Sequence, residues 1–305
     1  MLRYALKRVF IGFLCVLGVS LIIFVSMRLT GDPTHLLLPE DATQEDFAKL
    51  RAEMGLDKPI PVQYLIFIKE AAQGNFGRSF RWKRPAMGMV LERLPATLQL
   101  GSFAFILAIT FGLLAGVTSA KLRGSPYDLA VRVTATMGLS VPGFWLGIML
   151  ILVVAVQLGW LPTSGRGSFL HLILPGLTMA WHSQSAMSRL SRSAMLNVLG
   201  SDYIKMARVK GNPEWRVLWK HGLKNAAIPV VTLAGIQLAN MVGHTVVVET
   251  IFAWPGIGKL IIDAIYARDF AVVQAGIVLV SIVYISLNIL VDLLYGYLDP
   301  QIRYD

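Results

Sequence analysis

The chain has 305 residues, of which 55% are hydrophobic and only 15% charged, with a formal net charge of +10 and a mean hydropathy of +0.61. A soluble domain carries about a quarter charged residues, so this balance points away from an ordinary soluble enzyme and toward a polytopic membrane protein. The basic residues cluster beside apolar runs, which assigns them to lipid headgroups and orientation rather than to nucleic acid. The one cysteine, Cys15, excludes an internal disulfide framework or a cysteine-built metal cluster.

Residues 1–29 open with Arg3, Lys7 and Arg8, followed by an apolar run from about Val9 to Met27. That run exceeds the roughly 7–15 residues of a signal-peptide core and no small-x-small cleavage site follows, so it reads as a retained spanning helix, about 9–29. Residues 30–95 form a long loop region with one predicted helix, Thr43 to Met54, stopped by Gly55. It reads as a small folded cap on the outer face.

The second span is predicted over about 96–119 and the third over about 132–157, where "SVPGFW" permits a kink. The fourth, about 170–190, is the weakest, because "LHLILPGLTMAWHSQSAMSRL" turns polar halfway. The fifth covers about 229–252 and the sixth about 270–297. Spans of these lengths must satisfy their own backbone hydrogen bonds and so should be helices, making the chain all-α with about six transmembrane helices. Residues 96–297 form the core and 298–305 a tail.

Orientation follows from Lys and Arg in the short loops. The loop over 191–228 and its borders carry Arg189, Arg192, Lys205, Arg208, Lys210, Arg216, Lys220 and Lys224, whereas the loop between spans three and four has only Arg166. Both termini and the 191–228 loop are therefore expected in the cytoplasm, and the 30–95 region outside.

Little in the sequence suggests chemistry performed by the chain itself. G-x-x-x-x-G-K-[ST] is missing, and "PGIGKL" (255–260) lacks both its spacing and its hydroxyl. None of the five histidines has a two-ligand spacing, and no G-x-S-x-G elbow occurs. Ionisable residues inside spans are candidates by default. His244 and Glu249 in span five read as pathway lining or as polar glue between helices. Asp292, with Asn288 four residues earlier, reads more simply as glue near a membrane edge.

The polar stretch "DYIKMARVKGNPEWRVLWKHGLKNAAIP" (202–229) reads as two short helices. Ser201 or Asp202 supplies an N-cap, Gly211 a left-handed stop, and Asn212-Pro213 a break. Tyr203, Met206 and Ala207 are expected to share one face, with Lys205, Arg208 and Lys210 adding charge. The residues alone leave two readings open: a knob for a partner's groove, or a basic helix on the inner leaflet.

"KMARVKG" (205–211) resembles the "EAA-x-x-x-G" loop of ATP-binding cassette (ABC) importer permeases, with Ala207 and Gly211 in the signature positions. The general continuation falls on His221, Leu223 and Lys224, where only the leucine is kept, and the nearest proline is Pro229. That departure matches the peptide-transport branch, with its pattern like "DYIRTARAKG…HALRNA-IPVV". "LTGDP" (29–33), "GLDKPIPVQY" (55–64), "GNFGRS" (74–79), "LPATLQL" (94–100), "GWLPTSG" (159–165), "VVETIFAWPGIGKLIIDAI" (247–265), "RDFAVVQA" (268–275) and "VDLLYGYLDPQIRY" (291–304) follow in order. The chain resembles the first permease subunit of the dipeptide, oligopeptide, glutathione or nickel importers of this family.

The resemblance implies a type I ABC importer permease fold in the bacterial inner membrane. It also implies a second homologous permease, two ABC ATPase subunits that bind the ATP and Mg, and a periplasmic substrate-binding protein. The chain itself would hold no cofactor. Asp202, Tyr203, Met206, Ala207, Arg208 and Gly211 would form the helix that couples to an ATPase. His244, Glu249, Trp254, Pro255 and Gly256 are candidates for a pathway or gate, the last three lying in "FAWPGIGKL", where a structural turn is the equal alternative. A nickel or other small-solute permease remains the variant reading, and an intramembrane enzyme the reading from a different class.

Overall fold

A computed structural model describes residues 2–29, 43–53 and 56–298. Met54 and Gly55, most of "LTGDP" and the tail beyond Leu298 lie outside the described residues. Among the described residues the regular elements are helices, apart from one antiparallel bridge between Arg78 and Pro85. In chain order they are α1 (Leu2–Leu29), α2 (Gln44–Glu53), α3 (Ile60–Ala71), α4 (Ala86–Lys121), α5 (Pro126–Ser140), α6 (Gly143–Leu150), α7 (Leu170–Leu199), α8 (Asp202–Val209), α9 (Leu223–Ile251), α10 (Ile257–Tyr266) and α11 (Phe270–Leu298). Wider π turns extend α6 over Ile151–Gln157 and lead into α9 over Val217–Gly222.

Four described helices are long and apolar enough to cross a membrane, and a bent pair, Pro126–Ser140 with Gly143–Gln157, makes a fifth. The expected third span, 132–157, is thus corrected: it starts earlier and turns by 108° between its halves. The turn falls where the physics of proline puts it. Val141, the residue before Pro142, is extended at φ −78 and ψ 124, because the proline ring disfavours helical backbone there.

The weak fourth span became α7, a 30-residue helix that is not apolar enough to be counted among those five. Its neighbours explain this, since α7 packs against α4, α5, α6 and α9 and sits amid protein. Ser183, Ser185, Ser188 and Ser191 are buried along it. On the facing side of α4, Leu100, Ala104, Ala108, Gly112, Gly116 and Ala120 recur every fourth residue and all are buried. Small residues let the two backbones approach, the usual way helices pack in lipid. A Cβ on Gly112 would lie 2.7 Å from the Met187 Cβ, and one on Gly116 would overlap the Ser191 hydroxyl.

The region before α4 is anchored to the bundle. Thr43 and Asp46 cap α2 reciprocally, with the Asp46 amide donating to Thr43 Oγ1 at 3.3 Å and the Thr43 amide to Asp46 Oδ2 at 3.0 Å. These bonds hold the Asp46 carboxyl below its ordinary pKa. Phe24 of α1, Tyr64 and Phe67 of α3 and Phe76 form a chain of ring contacts, and the Tyr64 hydroxyl donates to the Leu17 carbonyl. Ser79 donates to the buried Asp269 carboxylate just before α11 at 2.5 Å.

One end of the bundle carries α8, and the other carries α10 with the start of α11. Arg8 of α1 pairs with Asp292 of α11 at 3.2 Å, placing both at the α8 end and giving Asp292 the role of glue between helices.

Candidate functional site

At the α8 end, Ser201 adopts the extended backbone of an N-cap, although its hydroxyl donates backward to the Val198 carbonyl at 2.6 Å. Gly211 has φ +75, the left-handed conformation that stops a helix cheaply only at glycine. Asn212 closes the turn through its side-chain amide, which donates to the Ala207 carbonyl at 2.9 Å.

The faces of α8 divide differently from the sequence expectation. Ile204 and Ala207 are buried against Val217, with Val198 and Leu199 beside them. Ala207 therefore points inward, not outward with Tyr203 and Met206. A helix turns 100° per residue, so the opposite face presents Asp202, Met206 and Val209, with Tyr203 and Lys205 at its margins. Met206 is 56% and Val209 82% exposed. Arg208 spans the turn to Glu214 at 2.9 Å. The Glu214 carboxylate raises the Arg208 guanidinium above its ordinary pKa, so its charge is fixed at any physiological pH.

This seat continues into the bundle. Val117 and Ala120 of α4, Met195 of α7, Leu218 of the π turns before α9 and Ala226 of α9 form one apolar cluster above it. Nearby, the buried Asp128 of α5 accepts from Arg192 of α7 at 2.7 and 2.9 Å and from the Ser119 hydroxyl of α4 at 2.6 Å. Packed side chains and the Asp128–Arg192 ion pair thus connect α8 and its seat with α4, α5, α7 and α9.

At the other end, the pathway candidates part company. Glu249 is fully buried and its carboxylate accepts from Thr97 Oγ1 at 2.6 Å and from the Lys259 amide at 3.1 Å, at the first turn of α10. Thr97 Oγ1 accepts in turn from the Ile257 amide at 2.8 Å. Trp254 is also buried, its indole N–H donating to the Ala96 carbonyl at 2.9 Å. Gly256 is buried against the Glu249 carboxylate, which occupies the space a Cβ would need, and Pro255 is half-buried. Ala253, at φ +46, makes the tight turn before them. Glu249, Trp254 and Gly256 lock α4, α9 and α10 together instead of facing an open path.

His244 alone among those candidates is exposed. The ring of His182 on α7, also exposed, lies 6.4 Å from it, centre to centre. Below it on α9 lies the exposed Asn240. No local pattern announces this pairing, since positions 182 and 244 are far apart in the chain. A polar stripe at membrane depth faces protein or water and not lipid.

Residues 108–304 match the family described as binding-protein-dependent transport system inner membrane component, and residues 1–101 match its N-terminal counterpart. The chain belongs to this family: it is an ABC importer permease, a multi-pass inner membrane subunit of a transport system and not an enzyme. It is 38% identical over 333 residues to a dipeptide transport system permease protein, DppB, of Alkalihalophilus pseudofirmus, covering 100% of both chains. It is 40% identical over 306 residues to the glutathione transport system permease protein GsiC of Escherichia coli (strain K12), again covering 100% of both. Among solved structures it is similar in fold to an inward-facing MetNI methionine ABC transporter chain, with TM-score 0.54 and 17% identity over 72% of this chain and 98% of that one. A second MetNI crystal form gives TM-score 0.56 at 18% identity over 70% and 97%.

Proposed function

We propose that this chain and a second, homologous permease form the membrane path for short peptides, a dipeptide or glutathione class of substrate, delivered by a periplasmic binding protein. The observation that carries the reading is full-length similarity to both a dipeptide and a glutathione permease. Two ABC ATPase subunits bind the ATP and Mg and dock below, with α8 seated in a cleft of one of them. The concentration of Lys and Arg around 189–224 supports a cytoplasmic α8 and cytoplasmic termini, with α2, α3 and α10 outside.

In this mechanism ATP-driven closure of the ATPases moves the exposed Asp202–Met206–Val209 face. Ile204 and Ala207 transmit the movement by packing to the ends of α7 and α9. The two permeases then alternate between outward and inward access. Purification of the tagged chain with its genomic neighbours tests the proposal. Co-purification of a second permease and ATPase subunits, with ATP-dependent dipeptide or glutathione uptake in proteoliposomes, supports it. Uptake of neither substrate by an intact complex overturns the peptide assignment.

A further inference from the structure

His182 and His244 are the observation that the packing of the fold does not absorb. Both rings are exposed inside long membrane helices, and neither makes a hydrogen bond or ion pair among the described residues. His182 lies twelve residues into α7 from the α10 end and His244 seven residues from the end of α9. A ring left unpartnered at that depth costs free energy unless it meets water, a partner or cargo.

The spacing discriminates among occupants. Two imidazole N–H groups donating to a single oxygen at about 2.8 Å each, with a roughly tetrahedral angle at that oxygen, put the ring centres about 6.5 Å apart. Two imidazole nitrogens on one zinc-like ion at about 2.1 Å would draw the centres to roughly 5 Å. The observed 6.4 Å matches the separation for a shared oxygen, whereas a zinc-like ion would need the rings to close by about 1 Å. Each imidazole keeps at least one N–H in either protonation state, so the pair always has donors to offer.

Charge favours a carboxylate as that oxygen's source. Arg189 is seven residues beyond His182 on α7, so it lies on the same face, two turns or about 10 Å nearer the α8 end. It too is exposed and has no ion pair among the described residues. Histidine pair and arginine thus make a descending line of donors along one wall.

We infer that His182 and His244 form a station that holds a carboxylate of the substrate in transit, with Arg189 as the next hold toward the cytoplasm. The inference rests on the proposed peptide-import function and deepens it: it names the group of the cargo that this subunit grips.

The test uses the complete importer in proteoliposomes with its binding protein, and radiolabelled dialanine and glutathione as probes. His182→Asn and His244→Asn each lower uptake about tenfold, and Arg189→Gln about threefold. Stimulation of ATP hydrolysis by the loaded binding protein is retained, because α8 and its seat are untouched. His244→Asp, close in size to Asn but negatively charged, lowers uptake at least tenfold further by repelling the cargo. Uptake by both Asn variants at the wild-type rate, or equal uptake by His244→Asn and His244→Asp, overturns the station. If the wild-type complex imports neither probe, the peptide reading falls and the station falls with it. That outcome is distinct from wild-type transport with indifferent histidines.

Discussion

Thr97 Oγ1 donates to Glu249 Oε1 at 2.6 Å while accepting the Ile257 amide at 2.8 Å, so one hydroxyl joins α4, α9 and α10. With Lys259 N–H on the other carboxylate oxygen, Glu249 acts as a cap for α10 supplied from a different helix. Replacing either group strands buried partners, at about 1–3 kcal/mol for each one left unpaired. Thr97→Val and Glu249→Ala should both lower the melting temperature of the purified complex. Their combination should cost less than the sum, since they share bonds. Strict additivity would show the two groups to be independent.

The same junction makes Gly256 intolerant for a steric reason. Its backbone is extended, at φ −99, so conformational freedom is not what requires glycine. A methyl group there would meet the Glu249 carboxylate. Gly256→Ala should therefore destabilise the wild type, as read by thermal melting, and be largely neutral in the Glu249→Ala background.

Asp128 and Arg192 tie α5 to α7 at the opposite end. Breaking a buried pair by removing one partner costs roughly 3–5 kcal/mol, more than replacing both by apolar groups. Arg192→Met should reduce the yield of folded complex strongly, while Asp128→Leu with Arg192→Met recovers much of it. A double-mutant cycle on melting temperature measures the difference.

Close packing of α4 on α7 yields a fourth stability test. Gly116→Leu should prevent accumulation of folded protein, because Ser191 and the Ser188 carbonyl occupy the space. Gly18, with open space around it, should accept alanine with little change in melting temperature.

Much of the architecture was legible because hydropathy is a direct readout of lipid contact. Spans one, five and six stop within a residue of their helices' last residues, although helices α1 and α9 begin six or seven residues before the expected 9 and 229, and Gly211 announced its turn through its position between "KMARVK" and "NP". Hydropathy loses that meaning where protein replaces lipid. Helix α7 is polar because α4, α5, α6 and α9 surround it, and α4 begins at Ala86, ten residues before the expected 96, across the charged Glu92 and Arg93. The inward turn of Ala207 depended on Val217, and the His182–His244 pair on how α7 packs against α9, so neither was visible in local sequence. In the sequence Glu249 reads equally as pathway lining or as glue between helices; its partners, Thr97 and the amide of Lys259, emerge only in the folded chain.

Because Ala207 faces the seat, a charge there is expected to disrupt α8 itself, and the outward residues are the cleaner probe of coupling. The most direct measurement is ATP-driven dipeptide uptake by the reconstituted importer carrying Met206→Asp and Val209→Asp together, with the melting temperature of the purified permease recorded alongside. An unchanged melting temperature and uptake reduced at least tenfold are expected, because the exposed face of α8 carries the force from the ATPase. Uptake at the wild-type rate from this double variant would contradict the assignment of α8 as the coupling helix.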